Sequence, residues 1–293
     1  MSTPARTALV STAGHCKVAC GFCFRADRAH GFLTIDTYSR ALSRLNETGV
    51  EGVCLTGGEP THHPELRQLV RLAHQFGLTV SMVTSARTEA EVMALADVEH
   101  LLVNVTVSAD SEGAMALGRT TRTAASAVAT LRAVDVPAKV LHLTYWDVAE
   151  EEAAQLAGLV AGTGIEVQLS PVLLGEQGLR RAGGSLQDSV QRREADTEIL
   201  AGRFRLSNAY RSYLDDLHRM QLSDDEGHPC RSATLYVSAE GEIRRCPYGS
   251  DGVNVHAPRT EIRGYLEAPA KDRVGPDCAA ICRPASRACA AAA

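Results

Sequence analysis

Cys16, Cys20 and Cys23 stand at a C-x3-C-x2-C spacing within Cys16-Lys17-Val18-Ala19-Cys20-Gly21-Phe22-Cys23. Thiolates hold iron–sulfur clusters, which as a rule take four of them. Three thiolates from one loop leave one iron of a cubane open to a small ligand. Zinc sites favour a closed set of four, often in C-x2-C pairs. A secreted disulfide framework goes with an even cysteine count and an export signal. The spacing here suits neither. A second cysteine set lies far along the chain: Cys230, Cys246, Cys278, Cys282 and Cys289. Between the two sets stands Gly57-Gly58-Glu59-Pro60, where paired glycines permit close backbone approach and the carboxylate can accept hydrogen bonds from an ammonium group.

Such groups need a frame to hold them. Thr7–Ser11 reads as a short buried strand ending just before the cysteine loop. From Thr34 the apolar spacing turns helical through Ile35, Tyr38, Leu42 and Leu45, with Thr34 as cap and Gly49 as terminator. Val50–Thr56 is a second strand, and Pro64 opens a second helix that Gly77 closes. The alternation continues with strands at Leu78–Thr84, His100–Val107, Ala138–Tyr145 and Ile165–Leu169. Helices fall at Glu89–Leu95 and Thr123–Val134, followed by one capped by Asp147 with Glu150, Glu151 and Glu152 in its first turn. Six alternating strands and helices predict a parallel sheet, a partial (β/α)6 TIM-type barrel left open. Active sites of such barrels lie at the C-terminal strand ends, where the cysteine loop and Gly57–Pro60 both fall.

Along the sixth strand Glu166, Gln168 and Ser170 alternate, which turns one face toward polar surroundings. That face is either a substrate cavity or a satisfied polar layer. With His142, Tyr145 and Asp147, these residues are candidate substrate contacts. Cys54, mid-strand among apolar neighbours, reads as a core thiol, and His62-His63 as capping or surface groups. The expected division is a core over 1–175, a helical connector over 176–226 and a small cysteine-rich domain over 227–293. In the last, Thr234–Ser238 and Glu242–Arg245 form a β-hairpin about Glu240-Gly241.

The loop Cys16–Cys23 resembles the cluster-binding loop of the radical S-adenosylmethionine (radical SAM) superfamily, with Phe22 where that family usually has an aromatic. In the family, three such cysteines hold a 4Fe-4S cluster whose fourth iron binds the amino and carboxylate groups of SAM. The resemblance implies that Gly57, Gly58, Glu59 and Pro60 bind the SAM amino group. It also implies that Ser108 contacts the ribose and that Arg119, with Arg122 as the alternative, pairs with the carboxylate. Thr84-Ser85 departs from the family's frequent Thr-Asn-Gly. The tail pattern C-x10-G-x4-C resembles the start of SPASM and twitch domains, which bind auxiliary 4Fe-4S clusters. Five tail cysteines imply one auxiliary cluster, on Cys230, Cys246, Cys278 and Cys282, with Cys289 as a possible substitute. A structural zinc site is the competing use of these thiolates.

The resemblance implies reductive cleavage of SAM to a 5′-deoxyadenosyl radical that abstracts hydrogen from a substrate, with flavodoxin or ferredoxin as electron donor. Only fifteen residues precede Cys16, little room for a peptide-recognition domain. The expected substrate is therefore a small polar metabolite (a sugar, aminocyclitol or nucleoside of natural-product biosynthesis) oxidised or rearranged at a hydroxylated carbon. The alternative is a peptide maturase served by a separate recognition protein. A non-catalytic metal scaffold is disfavoured, since it would lack the SAM contacts. The 293 residues carry a net charge of −5 and a pI of about 6.1, which disfavours a nucleic-acid partner. No apolar run reaches the roughly 18 residues of a membrane span, and the N-terminus lacks a signal-peptide core. A cytoplasmic location is expected, where nine cysteines point to metal or redox chemistry.

Overall fold

The computed structural model describes residues 7–14, 31–118, 120–172, 184–208, 210–211, 214, 235–245, 247, 252–268 and 289–291. Six strands run parallel, each paired with the next: β1 (Thr7–Ala13), β2 (Gly52–Gly57), β3 (Thr79–Thr84), β4 (Asn104–Asp110), β5 (Ala138–Tyr145) and β6 (Glu166–Pro171). Helices connect them: α1 (Ile35–Asn46), α2 (Leu66–Gln75), α3 (Glu89–Ala96), α4 (Glu112–Gly118), α5 (Ala124–Ala133) and α6 (Glu150–Val160). Beyond β6 come α7 (Leu186–Ala201), β7 (Phe204–Leu206), β8 (Tyr236–Val237), β9 (Glu242–Arg244), β10 (Val253–Asn254), α8 (Arg259–Glu267) and β11 (Cys289–Ala291). The eleven strands among the described residues share one sheet, ordered β10-β9-β8-β1-β2-β3-β4-β5-β6-β11-β7. Its end strands do not meet, so the expected open, partial barrel is what the chain forms.

Local signals account for much of this. The Thr34 side chain accepts the Thr37 amide at the start of α1, which buries Tyr38, Ala41, Leu42 and Leu45. Thr88 and Glu91 form a reciprocal capping box on α3. Gly49 and Gly77 take φ of +75° and +76° just past α1 and α2, a conformation that side chains disfavour. The expected hairpin is present as β8 and β9, turned by Gly241 at φ +83°. It joins the main sheet, β8 lying parallel to β1 with Leu9 opposite Tyr236. No helix among the described residues is long and apolar enough to cross a membrane.

Other boundaries differ from expectation. β4 starts at Asn104 rather than His100, because Glu99–Leu101 forms a 3-10 turn, and it continues past Val107 to Asp110. Ser108 is thus inside the strand and does not end it. α2 begins at Leu66, two residues after Pro64, and a 3-10 turn over Pro60–His62 precedes it. α4 was not expected; its short run of Gly and Ala carries little periodicity. Asp147 does not cap α6, whose N-cap is Ala149. Asp147 has φ +54°, and the amides of Asp147 and Val148 donate to the carboxylate of Asp196 on α7, each at 2.9 Å.

The register sorts the strand residues onto two faces. Ala8, Val10, Val53, Leu55, Val80, Met82, Val105, Val107, Leu141, Leu143, Val167 and Leu169 lie in lateral rows and join the helices' apolar residues in one core. The opposite parity gives Ser11, Cys54, Thr56, Ser81, Thr106, Ser108, His142, Thr144, Gln168 and Ser170. Leu9, Val83 and Val140 share this parity with them. This second face is the interior face of the partial barrel.

Candidate active site at the strand ends

The cysteine loop springs from the end of β1. The Gly14 amide donates to the Gly31 carbonyl at 3.0 Å, the Leu33 amide to Thr12 at 2.9 Å, and Ala13 bridges Phe32 in antiparallel fashion. The segment 15–30 therefore leaves and returns at one point on the C-terminal edge of the sheet. Cys16, Cys20, Phe22 and Cys23 lie outside the described residues; both ends of their loop are fixed.

Beside this stem sits the exit of β2. The Gly58 amide donates to the Ala13 carbonyl at 2.6 Å. Gly57 has φ +142°, and a Cβ there would fall 2.7 Å from the Ala13 carbonyl oxygen. The first glycine is thus demanded by the neighbouring strand, whereas the sequence suggested ligand approach. His63 completes the joint. Its Nδ1 accepts the Glu65 amide at 3.0 Å, so Nε2 carries the proton and donates to the Leu33 carbonyl at 2.9 Å. Burial lowers its pKa, against smaller raising effects from that carbonyl and Glu65. The Phe32 ring meets His63 edge-on, with centroids 5.2 Å apart.

Glu59 is 1% exposed, and its carboxylate is already engaged. Oε1 accepts the Thr61 amide (3.1 Å), the Thr61 hydroxyl (2.7 Å) and the Thr84 hydroxyl (2.6 Å). Oε2 accepts the Ser85 amide and hydroxyl, both at 2.7 Å. A carboxylate offers about four lone-pair sites, so five donors saturate it. Pro60 and Thr61 are buried in the same turn. His62 is neither a cap nor a surface group: its Nε2 meets Glu91 Oε1 at 2.9 Å. Glu91 Oε2 also accepts the amides of Arg87 (2.7 Å) and Thr88 (3.2 Å). Burial pushes the Glu91 pKa up, but those amides and His62 together hold it below the ordinary value. The spacing Thr88-x-x-Glu91 was the available sequence signal for this residue.

Ser108 and His142 sit side by side on the interior face, with Gln168 next in the same row. His142 Nε2 meets the Ser170 hydroxyl at 2.9 Å. Cys54 is on this face too, half-buried between Leu9 and Ser81, rather than in the helix-covered core. Burial pushes its thiol up, with a smaller lowering from the Ser81 hydroxyl. At the end of β4, Asp110 is buried and takes a two-pronged bond from Arg122, at 2.8 and 2.6 Å, plus the Thr120 hydroxyl at 2.6 Å. Arg122 is thereby committed to Asp110. Arg119, the first choice for a carboxylate partner, lies outside the described residues.

Three candidate contacts are placed elsewhere. Tyr145 has the parity of the helix-covered face; it is 1% exposed, and its hydroxyl meets that of Tyr210 at 2.9 Å. Asp147 lies past β5, exposed and ion-paired with Arg192. Glu166 shares the interior parity but stands exposed at the opening of β6, the end away from the cysteine loop. Cys230, Cys246, Cys278, Cys282 and the 226/227 boundary fall outside the described residues. Cys289 starts β11, its backbone opposite Val167 on the β6 side of the sheet, whereas β8 and β9 flank β1. No group of three or more metal-ligating side chains occurs among the described residues.

The chemistry of the donor set fits a cluster that needs three thiolates. In the sequence all three fall between Gly14 and Gly31, which meet at a strand end next to a turn pinned against that same stem. Comparison with known proteins gives the same direction. The family described as Radical SAM superfamily matches residues 10–160, just over half of the chain. A PqqA peptide cyclase of Ruegeria pomeroyi is 36% identical over 89 residues, 29% of this chain and 24% of that protein. An S-adenosylmethionine-dependent nucleotide dehydratase of a Thermoplasmatales archaeon is 32% identical over 80 residues, 27% of this chain and 29% of that protein. The matched segments thus span about a quarter of these relatives' length. Among solved structures, Streptococcus suis SuiB superposes with a TM-score of 0.60 at 16% identity, covering 91% of this chain and 67% of that one, a likeness of fold. Matched across its first five parallel strands, and carrying a three-cysteine loop beside Gly57-Gly58-Glu59-Pro60 at adjacent strand ends, the chain belongs to the radical SAM superfamily.

Proposed function

We propose that the protein is a radical SAM enzyme acting on a peptide. The observation that carries the substrate class is the run of relatives named PqqA peptide cyclase, one of them covering 82% of this chain at 24% identity. The small polar metabolite expected from the sequence gives way to the peptide alternative on that ground. The interior face supports it, because hydroxyl, amide and imidazole groups there suit the amides and side chains of a peptide. The nucleotide-dehydratase relatives favour a second, small-molecule reading.

Cys16, Cys20 and Cys23 would hold the 4Fe-4S cluster, which with SAM would supply radical chemistry able to take hydrogen from carbon. The chain's part is placement: the pinned stem orients the thiolate loop, and the Gly57–Pro60 turn offers its main chain to the amino group. Ser108 and Arg119 serve the ribose and carboxylate. The interior face beneath holds the substrate away from water. Cys230, Cys246, Cys278 and Cys282 would hold an auxiliary cluster, which would supply a site for an electron, and a flavodoxin or ferredoxin would supply the reducing equivalent.

The test is anaerobic incubation of the reconstituted protein with SAM and reductant. The substrates offered are short peptides encoded beside its gene and, separately, nucleoside triphosphates. A peptide that loses two hydrogens in step with 5′-deoxyadenosine supports the reading. Turnover of nucleotides with every peptide unchanged overturns it.

A further inference from the structure

We propose that Ser85 is a positioning residue for SAM, locking the Glu59 carboxylate beneath the Gly57–Pro60 turn and linking it to Glu91. The inference rests on the SAM-binding reading above and concerns only this chain's own residues. Glu59 and Glu91 are two carboxylates, 1% and 2% exposed, on either side of one serine. Carboxylates so buried need dense hydrogen bonding. The Ser85 hydroxyl lies 2.7 Å from Glu59 Oε2 and 3.3 Å from Glu91 Oε2. It has one proton, and the shorter distance gives that proton to Glu59. Its amide donates to the same oxygen. Both donors on Oε2 therefore come from Ser85, and both sit on the exit of β3 rather than on the Glu59 turn.

The consequence concerns the cation that the turn receives. With its lone pairs filled, Glu59 has no vacant site for an ammonium, and it acts through the shape of its own turn. The carbonyls of Glu59 and Pro60 are taken by the amides of His62 and His63. The Gly58 carbonyl accepts no hydrogen bond from a described residue. Its direction depends on the carboxylate that anchors the turn from below. Glu91 reaches the far end of that turn through His62 at 2.9 Å. The pair Glu59–Ser85 and the pair Glu91–His62 thus grip residues 57–63 from both ends, and both trace to β3 and α3.

The experiment measures SAM binding by calorimetry to the anaerobically reconstituted, unreduced protein, with melting temperature followed in parallel. Ser85→Ala should weaken SAM binding at least fivefold, and Ser85→Thr, which keeps a hydroxyl, should recover most of it. Glu91→Gln should weaken it less. Thr163→Ala, which removes hydroxyl bonds at the remote end of α6, controls for a general loss of stability and should leave the affinity alone. Unchanged or tighter SAM binding by Ser85→Ala, with the wild type binding normally, overturns the inference. A wild type that does not bind SAM overturns the reading beneath it as well.

Discussion

The two faces of the parallel sheet are made from the same strands and differ by one residue of register. On β2, Val53 and Leu55 go to the helix-covered face, Cys54 and Thr56 to the interior. On β5, Leu141 and Leu143 go one way, His142 and Thr144 the other. The covered face is apolar and sealed, and its burial stabilises the fold at roughly 25 cal/mol per Å². The interior face is rich in hydroxyls, buried at Ser11, Thr106, Ser108 and Thr144 and half-buried at Cys54, His142, Gln168 and Ser170, and it is lined mainly with hydrogen-bonding groups. At the strand ends buried carboxylates, Glu59, Glu91 and Asp110, replace apolar packing as the joints between loops, Asp110 continuing the interior row beside Thr144.

That contrast can be broken at several points. The largest effect should come from Asp110→Ala, which removes the buried carboxylate that holds the Arg122 guanidinium and the Thr120 hydroxyl; about 3–5 kcal/mol of stability should be lost in urea unfolding. A loss below about 1 kcal/mol would show that the ion pair is not a joint. Leu55→Ala, on the covered face, should cost about 2–5 kcal/mol by the same measurement. Tyr145→Phe, which removes a buried hydroxyl bonded to Tyr210 and, more weakly, to Thr197, should cost about 1–2 kcal/mol and leave SAM cleavage intact. His142→Gln, on the interior face, should shift stability by less than about 1 kcal/mol yet lower substrate turnover. A large stability loss there would mean that the interior face is core after all.

The smallest effect concerns pH. Burial holds the His63 pKa below the ordinary histidine value, and its Nδ1 accepts the Glu65 amide, so the fold resists protonation there. Below the ordinary histidine value the unfolded chain takes a proton that the folded chain refuses, so stability rises with pH and falls on acidification. Melting temperature should decline from about pH 7 to pH 5, and the decline should flatten in His63→Gln.

Much of this was legible in the residues. Period-two alternation on β6 named the interior face, and the strand order followed from short β-prone runs between capped helices. Parity would also have separated Tyr145 from His142, since residues three apart on a strand point to opposite faces. What was hidden depends on partners distant in sequence. Glu59 looks like a waiting acid until Thr84 and Ser85, 25 and 26 residues on, fill it. Asp147 looks like a helix cap until Asp196, 49 residues away, takes its amide. Gly57 looks like a ligand-facing glycine until Ala13 is laid against it.

The central claim is that the loop on β1 holds a cluster that cleaves SAM. The direct measurement is 5′-deoxyadenosine formed from SAM and dithionite by the anaerobically reconstituted protein, beside a variant with Cys16, Cys20 and Cys23 all changed to Ala. The account predicts steady formation by the wild type and none by the variant. Equal formation by both, or none by a wild type that carries its iron and sulfide, would contradict it.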